Sequence, residues 1–108
     1  MGITPIDLYR AGNAQGPRMD HVRPIDIAVV QQHGVDWVNP LSGGASTHEH
    51  RFRPARAWWL IPKGTVFSDG LVVRNDHGAH WVWEPARSME LREYLRLLAD
   101  LNAEFLRV

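Results

Sequence analysis

An arginine, a pair of adjacent hydroxyls and a histidine each stand at the end of a strand-like segment or beside a glycine turn, and these are side chains that can grip a charged, sugar-bearing ligand. Arg10 ends an apolar/polar alternation, where its planar fork suits bidentate contact with a phosphate or a ribose-linked oxyanion. Taken alone, an arginine more often ends in a surface ion pair. Ser46 and Thr47 follow Gly43-Gly44-Ala45, so the hydroxyls could bond a nucleotide while the glycines let the backbone approach it. Neither the P-loop lysine pattern nor the three-glycine dinucleotide fingerprint is present. His80 and Glu84 fall on one face of a strand, where they could orient a ribose and stabilise positive charge growing at its anomeric carbon. The plain alternative is a polar face on an edge strand. His48-Glu49-His50 invites a metal reading, but on a strand the two histidines share a face alone and no third ligand has recognisable spacing. No metal is expected there.

The elements that must position these groups can be read from periodicity. Ile6-Asp7-Leu8-Tyr9-Arg10 alternates as a short half-buried strand, and Ala11 to Arg23 is aperiodic loop that could lie over a site. Ile25 to Val30 could open as a helix after Pro24, yet its Ile and Val content favours a strand. Trp37-Val38 leads into Pro40-Leu41-Ser42-Gly43-Gly44, where a sharp turn is expected. Ala57–Ile61, Leu71–Arg74 and Ala79–Glu84 follow as strands, the last two paired antiparallel across Asn75-Asp76-His77-Gly78. Most of the five tryptophans are expected in the core or in packing between elements. From Ser88 to Arg107 the period becomes helical, with Leu91, Tyr94, Leu95, Leu98, Leu101 and Phe105 on one face, Ser88 as N-cap and Glu90 in the first turn.

At 108 residues, 44% hydrophobic and 22% charged, the chain reads as one domain with enough apolar content to fold. Twelve basic and twelve acidic residues leave no net field, so a nucleic-acid partner is disfavoured. The absence of cysteine excludes a disulfide framework and a thiolate zinc site. The start lacks the features of a signal peptide, and no run approaches a membrane span, which points to cytoplasmic action.

The order of these segments resembles a family. Leu8-Tyr9-Arg10-Ala11, Ser42-Gly43-Gly44-Ala45-Ser46, Ile61-Pro62-Lys63-Gly64-Thr65 with Leu71-Val72-Val73, and His80-Trp81 leading to Pro85-Ala86-Arg87-Ser88-Met89 look like the Tse-two toxins of type VI secretion. The likeness spans almost the whole chain. It departs in reading Gly-Gly-Ala-Ser where Gly-Gly-Thr-Ser is usual, and Trp81 where tyrosine is usual. The resemblance implies an α+β fold of the ADP-ribosyltransferase-like type: a small split sheet, mixed or antiparallel, with the C-terminal helix packed on it. It implies an antibacterial toxin that takes NAD as cosubstrate and breaks its nicotinamide–ribose bond, with Arg10, Ser46 and His80 as catalytic residues. Tyr9, Thr47 and Glu84 join them as candidate NAD contacts, Tyr9 or a tryptophan stacking on the nicotinamide. An immunity or antitoxin protein bound over the cleft is implied as partner, and delivery into a target cell would use a route without a signal peptide. Two other readings stay open: the toxin of a chromosomal toxin–antitoxin pair, and a non-catalytic module that binds protein through its tryptophan-rich surface.

Overall fold

A computed structural model describes residues 1–108. The strands are β1 (Gly2–Ile3), β2 (Leu8–Gly12), β3 (Ile27–Gln32), β4 (Val35–Gly43), β5 (Ala45–His48) and β6 (Ala57–Ile61). After these come β7 (Val66–Phe67), β8 (Leu71–His77), β9 (His80–Pro85), β10 (Met89–Glu90), helix α1 (Leu91–Leu101) and β11 (Leu106–Arg107). The architecture is α+β. Six strands form the main sheet in the order β11-β6-β2-β5-β9-β8, three more form β10-β4-β3, and β1 pairs with β7. Every pairing is antiparallel, so of the mixed and antiparallel alternatives only the second is realised.

The chain passes from the small sheet to the large one at Gly43-Gly44. The sharp turn expected from Pro40 onward begins before this pair: β4 bulges over residues 39–42, which stand against Ala28 alone between the Val29–Val38 and Ile27–Gly43 pairs, and Leu41 has φ +61°. Gly43 has φ +100°, open to glycine at little cost, and a Cβ there would collide with the Asp26 carbonyl oxygen. A Cβ on Gly44 would collide with the Trp83 carbonyl oxygen, while the Gly44 N–H donates to the Asp26 carbonyl at 2.8 Å. The central strand β5 can enter the sheet only because these two residues have no side chains.

The ambiguous segment after Pro24 is a strand, beginning at Ile27, and β8 pairs antiparallel with β9 across Gly78. Leu8, Ile61, Leu71 and Trp83 from the main sheet pack with Met19, Tyr94, Leu98, Leu101 and Phe105 in one buried cluster. Full burial of each aliphatic side chain contributes about 1.5–3 kcal/mol. Tyr94 fastens the helix to the sheet: its hydroxyl donates to the Trp83 carbonyl at 2.6 Å and accepts the Ala45 N–H at 3.1 Å. Burial raises the Tyr94 phenol far above its ordinary value, with Ala45 and Arg10 opposing and Glu84 and Asp26 adding to the rise. It therefore stays protonated and keeps its donor.

The helix is shorter than its periodicity suggests. It starts at Leu91, since Met89 and Glu90 pair with Val38 and Trp37, and Ser88 donates to the Asn39 side chain instead of capping. It ends at Leu101, after which a single 3-10 turn leads into β11 beside β6. Leu106 and Arg107 are thus strand residues.

Candidate functional site

Arg10 lies near the end of β2 and is half-buried, with each of its nitrogens donating to a backbone carbonyl. Nε reaches Pro17 at 2.7 Å, Nη1 reaches Ser46 at 2.7 Å and Nη2 reaches Arg18 at 2.9 Å. One guanidinium therefore ties the 11–23 loop to β5. Two of its five N–H groups remain after these three bonds. Burial pushes its pKa down from the ordinary arginine value, while Asp26, Tyr94 and Asp20 oppose the fall.

The next two residues of the loop, Met19 and Asp20, are pinned as well. Met19 is fully buried, its N–H donates to the Asn102 side chain at 2.8 Å, and Asn102 donates in turn to Asp20 at 2.9 Å. Held at Pro17, Arg18, Met19 and Asp20, the loop stands as a wall beside β5 and β9. Between them lies a cavity of about 330 Å³ whose lining includes Arg10, Ser46, His48 and His80 from the strands and His21 and Arg23 from the loop. A volume near 300 Å³ is at the lower end for small-molecule sites. Arg10, His21 and Arg23 also line an adjoining hollow of about 480 Å³, which adds Arg18.

Period two sends Ser46 and Thr47 to opposite faces of β5. Ser46 lines the cavity. Thr47 is fully buried, its hydroxyl donating to the Trp81 carbonyl at 3.1 Å and accepting the Trp83 indole N–H at 3.0 Å. The Ser46 hydroxyl and His80 Nε2 are 2.9 Å apart. The other ring nitrogen of His80, Nδ1, meets the Asp76 carboxylate. A carboxylate only accepts, so the neutral imidazole carries its proton on Nδ1, and Ser46 donates to Nε2. Burial works against charge on Asp76, but the His80 hydrogen bond and the charges of His80 and His77 outweigh it and hold the carboxyl below its ordinary range. Asp76 is ionised at neutral pH. The result is a hydroxyl–imidazole–carboxylate relay opening into the cavity.

Arg10, Ser46 and His80 are thus brought together, and three of the six sequence candidates are not. Thr47 is sealed behind the sheet, Tyr9 is absent from the cavity lining with Arg51 lying 5.9 Å over its ring, and Glu84 is only 2% exposed and bonded to Arg74 Nε at 2.6 Å. Glu84 is therefore placed as an ion-pair partner, with its second oxygen unbonded.

Asp76 and Asp26 do not stand out in the sequence, and His48 stands out there only as half of a His-Glu-His metal pattern. Asp76 lies in the segment expected as a turn, and four residues across a tight hairpin is the spacing that brings it to His80. His48 packs against Phe52 with centroids at 4.3 Å and planes tilted by 52°, and meets the His80 ring edge-on at 5.1 Å. Burial pushes the His48 pKa down, and His80, Arg53 and Arg10 lower it further, with Asp76 opposing. Asp26 accepts from Arg23 through its backbone and its guanidinium at 2.8 to 3.2 Å. The place of His48 beside His80 comes from pairing of β5 with β9, which the sequence does not show.

The lining carries three arginines and three histidines against one aspartate, a composition suited to an anionic ligand. A family model described as Tse2 ADP-ribosyltransferase toxin matches residues 5–107. No curated protein and no solved structure matches the chain.

Proposed function

The chain belongs to the Tse2 ADP-ribosyltransferase toxin family, and from that premise we propose that it binds NAD in the Arg10–Ser46–His80 cavity and breaks the nicotinamide–ribose bond in a bacterial target cell. The observation that carries this reading is the convergence of the three side chains on one positively charged cavity, with the Ser46 hydroxyl bonded to an imidazole of defined tautomer. The ribosyl-nicotinamide half of NAD occupies the smaller hollow, and the diphosphate lies across Arg10, Arg18 and Arg23 in the adjoining one.

The chemistry then follows from the donors and acceptors. The N-glycosidic bond breaks with its electron pair passing to the nicotinium nitrogen, so nicotinamide leaves neutral and positive charge appears at the ribose C1 and ring oxygen. The Ser46 oxygen keeps its lone pairs free while its proton points to His80, so it accepts from a ribose hydroxyl and orients the sugar. An acceptor hydroxyl or water attacks C1, and its proton goes to His80 Nε2 directly or by way of Ser46. Asp76 stabilises the imidazolium so formed, as a positioning residue. An immunity protein seated over the open side of the cavity would exclude NAD, which gives the producing cell a means of restraint.

Release of free nicotinamide from NAD, measured with purified protein alone and with bacterial lysate, tests the reading. Wild type is expected to turn over, and Ser46→Ala and His80→Ala each to lose about 10²-fold or more while retaining the fold. Absence of both NAD binding and nicotinamide release from folded wild type in lysate would overturn it.

A further inference from the structure

The hairpin joining β8 to β9 carries a group of ligand atoms that the proposed reaction only partly uses. Asp76 Oδ1 faces Nδ1 of His80 and, at 3.3 Å, Nδ1 of His77. The two imidazoles lie nearly parallel, 22° apart with centroids at 4.8 Å, so both present the same ring nitrogen to one carboxylate. The donor atoms of all three residues fall within 4.8 Å of one another. His77 is 75% exposed and neither lines the cavity nor touches Ser46, and its contact with Asp76 has no role in the chemistry above.

We propose that Asp76, His77 and His80 form a site for one late first-row divalent ion of the zinc type, and that its occupation silences the neighbouring cavity. Two imidazole nitrogens and one carboxylate oxygen suit zinc over magnesium or calcium, which take oxygen sets. Bonds of about 2.0–2.1 Å to a tetrahedral ion separate its ligand atoms by about 3.3 Å, close to the spacing already present between Asp76 and His77. Solvent supplies the fourth ligand. The consequence for the cavity follows from proton counting. A neutral imidazole holds one proton, so an ion that takes the Nδ1 lone pair of His80 leaves that proton on Nε2, and solvent carries it from one nitrogen to the other. The His80–Ser46 hydrogen bond is then reversed, with Nε2–H donating to the Ser46 oxygen. His80 can no longer accept a proton from Ser46 or from an attacking hydroxyl. The binding half of this proposal stands on geometry alone, and the silencing half rests on the functional reading given above.

The full chain, freed of metal, is titrated with zinc chloride in a calorimeter at neutral pH, without NAD. Wild type is expected to take up one ion, His77→Ala to bind at least about tenfold more weakly, and His33→Ala, in the distant turn between β3 and β4, to match wild type. Histidine ring nitrogen shifts are expected to report His80 as the Nδ1–H tautomer before zinc and Nε2–H after it. Nicotinamide release, equal in wild type and His77→Ala without zinc, is expected to fall with zinc in wild type only. Zinc binding as tight in His77→Ala as in wild type, lack of saturable uptake, or a His80 that keeps its Nδ1 proton would each overturn the metal site. One-to-one uptake with the tautomer change, but with no NAD turnover under any condition, would leave the metal site standing and remove the functional reading instead.

Discussion

At the scale of single residues, Arg10 does two things that mutation can separate. Its three backbone bonds fix the 17–18 carbonyls and the Ser46 carbonyl, and it lines the cavity with two N–H groups left over. Arg10→Lys keeps the charge but cannot make three divergent bonds. It is expected to loosen the 11–23 loop, raising its hydrogen exchange, and to lower kcat/KM for NAD by about tenfold or more. Asp76→Asn separates orientation from charge. Its amide can donate to Nδ1 and favour the wrong tautomer, so kcat is expected to drop by about 10²-fold, with a shifted pH profile and a fold retained at a somewhat lower melting temperature. His48 governs a pH effect on stability. Its folded pKa lies below the ordinary 6.5, so the unfolded chain binds the proton first. The contribution is intact above that value and is lost as pH falls through it. Urea midpoints are expected to fall between pH 7 and pH 5, and to fall less in His48→Asn.

Elements explain which of these groups could be read in the sequence. Alternation in β2 and β9 put Arg10 and His80 on strands, and the helical period of α1 gave its buried face, because local periodicity survives whatever surrounds it. The boundaries of α1 did not follow from the same signal: Met89 and Glu90 are drawn into pairing with β4, and Leu106 and Arg107 with β6, which tertiary neighbours decide. Thr47 and Glu84 failed as site candidates for a similar reason. Type and spacing suited both, but the faces they occupy are filled by Trp83 and Arg74. Tyr94 tests how firmly these elements are joined. Tyr94→Phe leaves the buried Ala45 N–H and Trp83 carbonyl without their partner and is expected to cost about 1–3 kcal/mol in chemical denaturation.

For the molecule as a whole, the charge distribution matters more than its sum. Twelve positive and twelve negative residues cancel overall, yet the cavity lining is strongly basic. Under the proposed function, attraction of the dinucleotide would be local and screened over about 8–10 Å at physiological salt. Raising salt from about 50 to about 500 mM is expected to increase KM for NAD several-fold with little change in kcat. The crowded passage at Gly43-Gly44 has a different consequence. A selection for colonies that survive production of this toxin will return substitutions at Gly44 as readily as at Ser46, since a methyl group against the Trp83 carbonyl stops the central strand from entering its sheet. Survivors of the first kind contain no native protein and survivors of the second kind do, so circular dichroism must sort the harvest before any of it is read as a map of catalysis.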